Sequence, residues 1–205
     1  MRLSLQHIRR TYRDNASNFG EVLDAATKTV LDQIEALSRI ASEFSRFAHM
    51  PRRTLARLDV NEVIHEAVQL FQNESRLTFT LHLGKGPLDV LADREELRRA
   101  FINIIRNSIQ AIDESGTIAV TTGREEEGIG ITIIDTGQGV PEDIKPRLFE
   151  PNFSTKTDGM GLGLAIVKQT LDALGGTVTL ESREGEGTTV TMWLPVAGET
   201  PGKTA

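Results

Sequence analysis

The chain has 205 residues and a formal net charge of −6, enough for one ordinary domain with a packed core plus a smaller element. It contains no cysteine, which excludes a disulfide framework, a cysteine-ligated metal site and a cysteine nucleophile. The acidic balance gives no broad basic footprint for nucleic acid, no apolar run approaches the roughly 18 to 20 residues that span a bilayer, and the N-terminus lacks the apolar core of a signal peptide. A soluble, cytoplasmic chain without nucleic-acid or membrane contact is expected, any membrane anchor belonging to a longer parent.

Residues 1–50 read as a helical hairpin. Val22, Ala26, Val30, Gln33, Leu37, Ile40, Phe44 and Phe47 recur at helical spacing and draw one apolar stripe along a helix of about 28 residues. Leu3, Leu5, Ile8 and Tyr12 offer a shorter stripe, and residues 14–20 are polar enough to form the turn between two antiparallel helices. Two helices bury too little apolar surface alone. A homodimeric four-helix bundle built from residues 1–50 completes them, the alternative being a hairpin packed on its own domain.

Residues 51–57 form a basic linker with Arg52, Arg53 and Arg57, and the pattern changes at residue 58. Leu58 to Val60 is a short strand signal, and Asn61 is placed to cap a helix carrying Val63, Ile64, Ala67, Val68 and Phe71. Leu77, Phe79, Leu81 and Leu83 alternate with polar residues as a half-buried strand does. Leu88 to Ala92 reads as a further strand. Asp93 and Glu96 have the spacing of a capping box before a helix over about residues 94–114. Strands over 117–122 and 129–135 are joined by a charged hairpin. A later helix ends at Gly175 and Gly176, and a last hairpin pairs 177–182 with 188–194. The pattern describes an α+β sandwich of one mixed sheet and one helical layer over residues 58–195, followed by a flexible tail over 196–205.

The stretch from Ile133 to Ala165 carries most of the functional signal. An apolar strand ends in Asp135 and opens into glycines at 137 and 139; a polar segment interrupted by Phe149 and Phe153 leads to Gly159, Gly161 and Gly163 at the start of a helix. Glycine lets backbone approach a ligand without a Cβ in the way. The second cluster sits where the free N–H groups of a new helix receive phosphate oxygens. A carboxylate repels phosphate but holds an exocyclic amine, so Asp135 belongs at the base end of a nucleotide pocket and Gly159 to Gly163 at the phosphate end. On the helix from residue 94, Asn103 and Asn107 are one turn apart and share a face, while Leu97, Phe101, Ile104, Ile105 and Ile109 form the apolar side. Amide oxygens suit Mg²⁺, which keeps several waters and takes phosphate oxygens; the competing reading is a surface asparagine pair.

Five segments resemble, in the family's own order, the conserved boxes of the catalytic ATP-binding domain of two-component sensor histidine kinases. They are Asn103 to Ala111, Asp135 to Gly139, Leu148 to Phe153, Gly159 to Leu164, and Gly185 to Thr188. Residues 1–50, ending in Glu43 to Ala48, resemble the family's dimerisation helices, nearest to nitrogen-regulation sensors of the NtrY type. The resemblance implies a Bergerat (GHKL) ATP pocket with ATP and Mg²⁺ as cofactors. Asp135 would sit on the adenine amino group with Thr188 beside the base, Asn107 on Mg²⁺ with Asn103 adjacent, and Gly161, Gly163 and Leu164 near the phosphates. The first glycine turn, Gly137 and Gly139, lines the same pocket. Phe149 and Phe153 would anchor a lid over about Val140 to Gly159, from which Lys156 either reaches a phosphate or points to solvent.

DNA gyrase and MutL, which share this motif, carry a glutamate one turn before the metal-binding asparagine; here Asn103 stands there, and an amide is no general base. Transfer to a protein side chain is therefore favoured over hydrolysis. The family phosphorylates a histidine within a pattern like H-E-x-x-N-P-L, which does not occur in this sequence. His7, His49, His65 and His82 read as surface or structural residues. The expectation is a chain that begins after the acceptor motif, binds ATP and dimerises but does not autophosphorylate at the usual site, its parent passing phosphate on to the receiver domain of a response regulator. The alternative is a non-catalytic, dimeric, nucleotide-sensing adaptor.

Overall fold

A computed structural model describes residues 22–31, 53–154 and 161–198 together with Gly20 and Ile34. The chain divides into two compact units, Met1–Pro51 and Arg52–Ala205. In the first, residues 22–31 are helical; of the expected stripe Ala26 is buried and Val22 and Val30 are half-buried, while Leu23 and Leu31, off the stripe, are exposed. The shorter first helix of the expected hairpin (Leu3 to Tyr12), its turn up to residue 19, the stripe from Gln33 to Phe47 and the homodimer fall outside the described residues. Among the described residues no helix is long and apolar enough to cross a membrane.

The second unit begins with β1 (Ala56–Asp59), α1 (Val60–Gln69), β2 (Leu77–His82), β3 (Asp89–Ala92) and α2 (Arg94–Ala111). It continues through β4 (Gly116–Arg124), β5 (Gly128–Asp135), a 3-10 turn (Glu142–Arg147), α3 (Gly163–Ala173), β6 (Thr177–Arg183) and β7 (Gly187–Pro195). Five strands form a sheet in the order β2-β4-β5-β7-β6, and β1 pairs with β3 in a separate antiparallel ribbon. Only β2 and β4 run parallel, a pairing that needs a crossover, and α2 lies within that connection. The mixed sheet with one helical layer agrees with the sequence expectation.

The core lies between α2 and the sheet. Leu97, Phe101, Ile104 and Ile105 of α2 are fully buried together with Ile118, Ile129, Ile131, Ile133 and Met192 of the strands. Each such side chain contributes about 1.5–3 kcal/mol relative to exposure, which makes this helix–sheet contact the main stabilising interface. Helix α1 adds Val60, Val63, Ile64, Ala67 and Val68, and α3 adds Val167 and Leu171.

Two expected caps differ from the structure. The N-cap of α1 is Asp59, whose carboxylate accepts the Asn61 N–H at 2.8 Å. The Asn61 amide instead bridges elements, donating to the Gly84 carbonyl at 3.1 Å and accepting from the Thr122 hydroxyl at 2.7 Å. Asp93 caps α2 by accepting from Glu95 and Glu96 N–H, but the reciprocal half of the box is missing because Glu96 is drawn to Arg53, 2.9 Å away. A buried carboxylate gains more from a guanidinium than from a neutral amide. The C-terminus of α3 closes as expected: Gly175 takes φ +74°, its N–H bonds the Asp172 carbonyl, and the Gly176 N–H bonds that of Leu171 at 2.8 Å, a Schellman motif.

The last turn of α2 is capped from outside. The Arg76 guanidinium donates to the carbonyls of Ile109, Ile112 and Asp113, and the Gln138 N–H donates to Ala111 at 2.8 Å. These groups satisfy carbonyls that a helix end leaves open.

Arg76→Ala is expected to lower stability by about 1–3 kcal/mol, read from denaturant unfolding midpoints. At the other end of α2, the Thr54 N–H bonded to Asp93, with Glu96 and Glu95 N–H and the Arg53 charge, holds the Asp93 carboxyl below its ordinary range despite some burial. Because the folded value lies below the unfolded one, this contribution is complete above the ordinary carboxylate range and is lost as pH falls through the folded value. Asp93→Asn, which keeps a cap but not the charge, is expected to flatten the acid limb of a stability–pH curve.

Candidate functional site

Asp135 ends β5 and is almost fully buried, and its Oδ1 accepts the Gly137 N–H at 3.0 Å. Strand register places Asp135 opposite Thr188, and Thr188 opposite Ser182. Direct cross-strand partners share a face, so all three side chains stand in one row on the inner face of the sheet. Thr188 and Ser182 are buried as well, and their hydroxyl oxygens are 3.0 Å apart. The row is rich in oxygen acceptors at the point where β5 gives way to the first glycine turn.

The glycines of that turn are dictated by backbone contact. A Cβ on Gly137 would stand 2.7 Å from both the Ala111 carbonyl oxygen and its methyl group, so the turn packs on the end of α2. Gly139 takes φ +70° and a Cβ there would fall 2.0 Å from the Arg183 carbonyl. Gly187, at φ +100°, would place its Cβ 2.0 Å from the Asp135 carbonyl. The first and third glycine segments are thus folded onto each other around Asp135.

Two turns back along α2 lie different groups. Asn103 and Asn107 are half-buried on the side of the helix away from the apolar stripe, and Asn103 Nδ2 is buried without a hydrogen-bond partner among the described residues. Arg99, one turn earlier and half-buried, has its Nε in the same condition. The second glycine cluster meets this face: a Cβ on Gly163 would lie 3.8 Å from the Asn103 amide. Gly163 is the first residue of α3, and no side chain caps that helix among the described residues. Leu164 follows in the first turn of α3, half-buried. Unpaired buried donors cost about 1–3 kcal/mol each, and a bare helix N-terminus adds further donors and partial positive charge. This end suits an anion, whereas the carboxylate and hydroxyl oxygens at the Asp135 end suit a donor. From Ala111 back to Asn103 is roughly 12 Å along the helix axis, on the order of the reach from a purine amino group to its outer phosphates.

The segment between the two glycine clusters holds the 3-10 turn and then Phe149 and Phe153, both half-buried. The Arg147 guanidinium stacks 4.2 Å from the centre of the Phe153 ring. Gly161, at φ +64°, packs against Phe153 so closely that a Cβ would fall 2.3 Å from its carbonyl oxygen. Lys156 and Gly159 lie outside the described residues. His65 and His82 are exposed on α1 and β2. Among the described residues no group of three or more His, Cys, Asp or Glu is placed to hold a metal ion.

Sequence reasoning passed over Ser182 and Arg99. The serine is two strands away from Asp135 and only the register reveals their row. Arg99 was legible in principle, since it precedes Asn103 by four residues and so shares its face.

Comparison with known proteins bears on this arrangement. Residues 92–198 match the family described as histidine kinase-, DNA gyrase B-, and HSP90-like ATPase. The chain is 32% identical to the sensor histidine kinase ZraS of Escherichia coli (strain K12), over 94% of this chain and 42% of that protein. It is 30% identical to the nitrogen regulation protein NtrY of Azorhizobium caulinodans, over 97% of this chain and 27% of that protein. The chain therefore spans less than half the length of these relatives. Among solved structures, the catalytic domain of histidine kinase ThkA superposes with a TM-score of 0.64 at 32% identity, covering 69% of this chain and 95% of that one. The fold of residues from β1 onward is of the Bergerat ATPase type.

Gly187→Ala is expected to strain the backbone by about 1–3 kcal/mol and to push on the Asp135 carbonyl, lowering the melting temperature in a thermal scan.

Proposed function

Because the chain belongs to the histidine kinase-, DNA gyrase B- and HSP90-like ATPase family and so carries an ATP-binding domain, we propose that it is the catalytic part of a sensor histidine kinase, passing the ATP γ-phosphoryl group to a protein histidine. The observation that carries the reading is the polarity of the site. Buried acceptors, Asp135 with Thr188, gather at one end of α2; two turns back, beside the start of α3, Asn103 Nδ2, and one turn further Arg99 Nε, are buried donors without a partner among the described residues, where α3 also has no side-chain cap.

In this reading Asp135 accepts from the adenine amino group, and the Gly137 N–H holds its carboxylate in place. Gly139 and Gly187 let the flanking segments close around the base. Asn103 and Arg99 donate to phosphate oxygens, and the first N–H groups of α3, at Gly163 and Leu164, do the same. The donor set also fits Mg²⁺: the Asn107 amide oxygen would hold the ion together with water and phosphate oxygens, and the ion would neutralise charge on the β- and γ-phosphates. Phe149 and Phe153 seat the segment that covers the nucleotide, with Gly161 against Phe153, and Lys156 belongs to that segment. Phosphoryl transfer needs mainly positioning and charge neutralisation, and Asn103 in place of a carboxylate leaves no side chain at that point of α2 to activate water.

Dimerisation through residues 1–50 and onward transfer to a response regulator complete the reading. The second is supported by one solved structure, of 22% identity, in which histidine kinase ThkA is bound to response regulator protein TrrA; the first is supported by the apolar stripe of residues 22–47 in the sequence.

Titration calorimetry with ATP and Mg²⁺ is expected to show binding, and Asp135→Asn and Asn107→Asp are each expected to weaken it by about tenfold or more, equivalent to at least 1.4 kcal/mol. Unchanged affinity in both variants contradicts the assignment. Incubation with radiolabelled ATP and a separately expressed acceptor helix tests the transfer: label on the acceptor histidine is expected, and tight ATP binding without transfer favours the adaptor reading.

A further inference from the structure

Ser182 lies in the cross-strand row that ends on Asp135, with Thr188 between them. Its hydroxyl makes three contacts. The Val140 N–H donates to Oγ at 2.9 Å, Oγ donates to the Gly187 carbonyl at 2.8 Å, and the Thr188 Oγ1 stands 3.0 Å away. A serine hydroxyl has one proton and two acceptor positions. The amide of Val140 can only donate and the carbonyl of Gly187 can only accept. With the proton committed to Gly187 and one lone pair to Val140, the contact that remains is Ser182 accepting from the Thr188 hydroxyl. Reversing it would take the proton from the carbonyl of Gly187, a buried residue.

We propose that Ser182 fixes the direction of the Thr188 hydroxyl proton, so that Thr188 faces the base as an acceptor only, and that this polarity helps select a 6-amino purine over a 6-oxo purine. The proposal rests on the reading that places the base beside Asp135. A carboxylate and an acceptor-only hydroxyl both attract the amino hydrogens of adenine, and both oppose the carbonyl oxygen of hypoxanthine. Without Ser182, the Thr188 proton is free to swing toward the base and greet that oxygen. Ser182 is a positioning residue, acting through Thr188, and a merely structural role would weaken both nucleotides alike.

The test is calorimetric affinity of the full chain for ADP and for IDP, with Mg²⁺, in the wild type and in Ser182→Ala, Thr188→Val and the double variant. The wild type is expected to prefer ADP. Ser182→Ala should reduce the ADP/IDP ratio by about threefold to tenfold, the worth of one hydrogen bond. Thr188→Val should reduce it similarly, and the double variant no further. Ser182→Thr, which retains one proton and two lone pairs, should keep the wild-type ratio. An unchanged ratio in Ser182→Ala, or an equal further fall when it is added to Thr188→Val, overturns the proposal while leaving the ATP-site reading in place. Should Ser182→Ala fail to fold, a ratio unaffected by Thr188→Val overturns it equally. Wild-type protein that binds neither nucleotide overturns both the proposal and the reading beneath it.

Discussion

The contact between α2 and the sheet holds the rest of the structure in place. One helix must bury Leu97, Phe101, Ile104 and Ile105 against β4, β5 and β7 and in the same turns keep Arg99, Asn103 and Asn107 on its other side. The apolar stripe fixes the helix's rotation, because turning it to bury the amides would expose several large side chains at about 1.5–3 kcal/mol each. Its axial position is fixed at both ends: Asp93 takes the first N–H groups, and Arg76 with the Gln138 N–H takes the last carbonyls. A helix held in rotation and translation can carry polar groups in a defined place, which is what a site requires.

From that placement comes an arrangement with opposite polarity at its two ends. The Gly137 and Gln138 segment packs on the end of α2 and brings Asp135, Thr188 and Ser182 with it, all oxygen acceptors toward the interior. Near Asn103 the buried groups without a partner among the described residues are donors, and α3 begins there without a capping side chain among those residues. A nucleotide has the complementary pattern, with an amine at one end and anionic oxygens at the other. The cost of leaving Asn103 Nδ2 and Arg99 Nε without partners among the described residues is borne by a fold whose core is large enough to carry it.

The parts legible in the sequence were those written in local periodicity. The stripe of α2, the alternation of β2, the glycine pair closing α3 and the positions of the strand segments all follow from local spacings and turn residues. The end of β5 at Asp135 and the close approaches at the glycines were legible because few residues other than glycine tolerate them. Long-range choices were not. Asn61 looks like a cap, yet Asp59 takes that role and Asn61 ties Gly84 to Thr122 instead. Glu96 has capping-box spacing, but Arg53, distant in sequence, competes for it and wins by charge. Ser182 joins the site only through strand register, which no local pattern announces.

The account stands on the claim that Asp135 reads a purine amino group while the Asn103 face of α2 and the start of α3 hold phosphate. The most direct measurement is a crystal structure of the chain with Mg²⁺ and a non-hydrolysable ATP analogue. The account predicts the adenine amino group within hydrogen-bond distance of the Asp135 carboxylate and the phosphates beside Asn103, Asn107 and Gly163. A nucleotide bound with its base away from Asp135, or bound outside the space between α2 and α3, would contradict it.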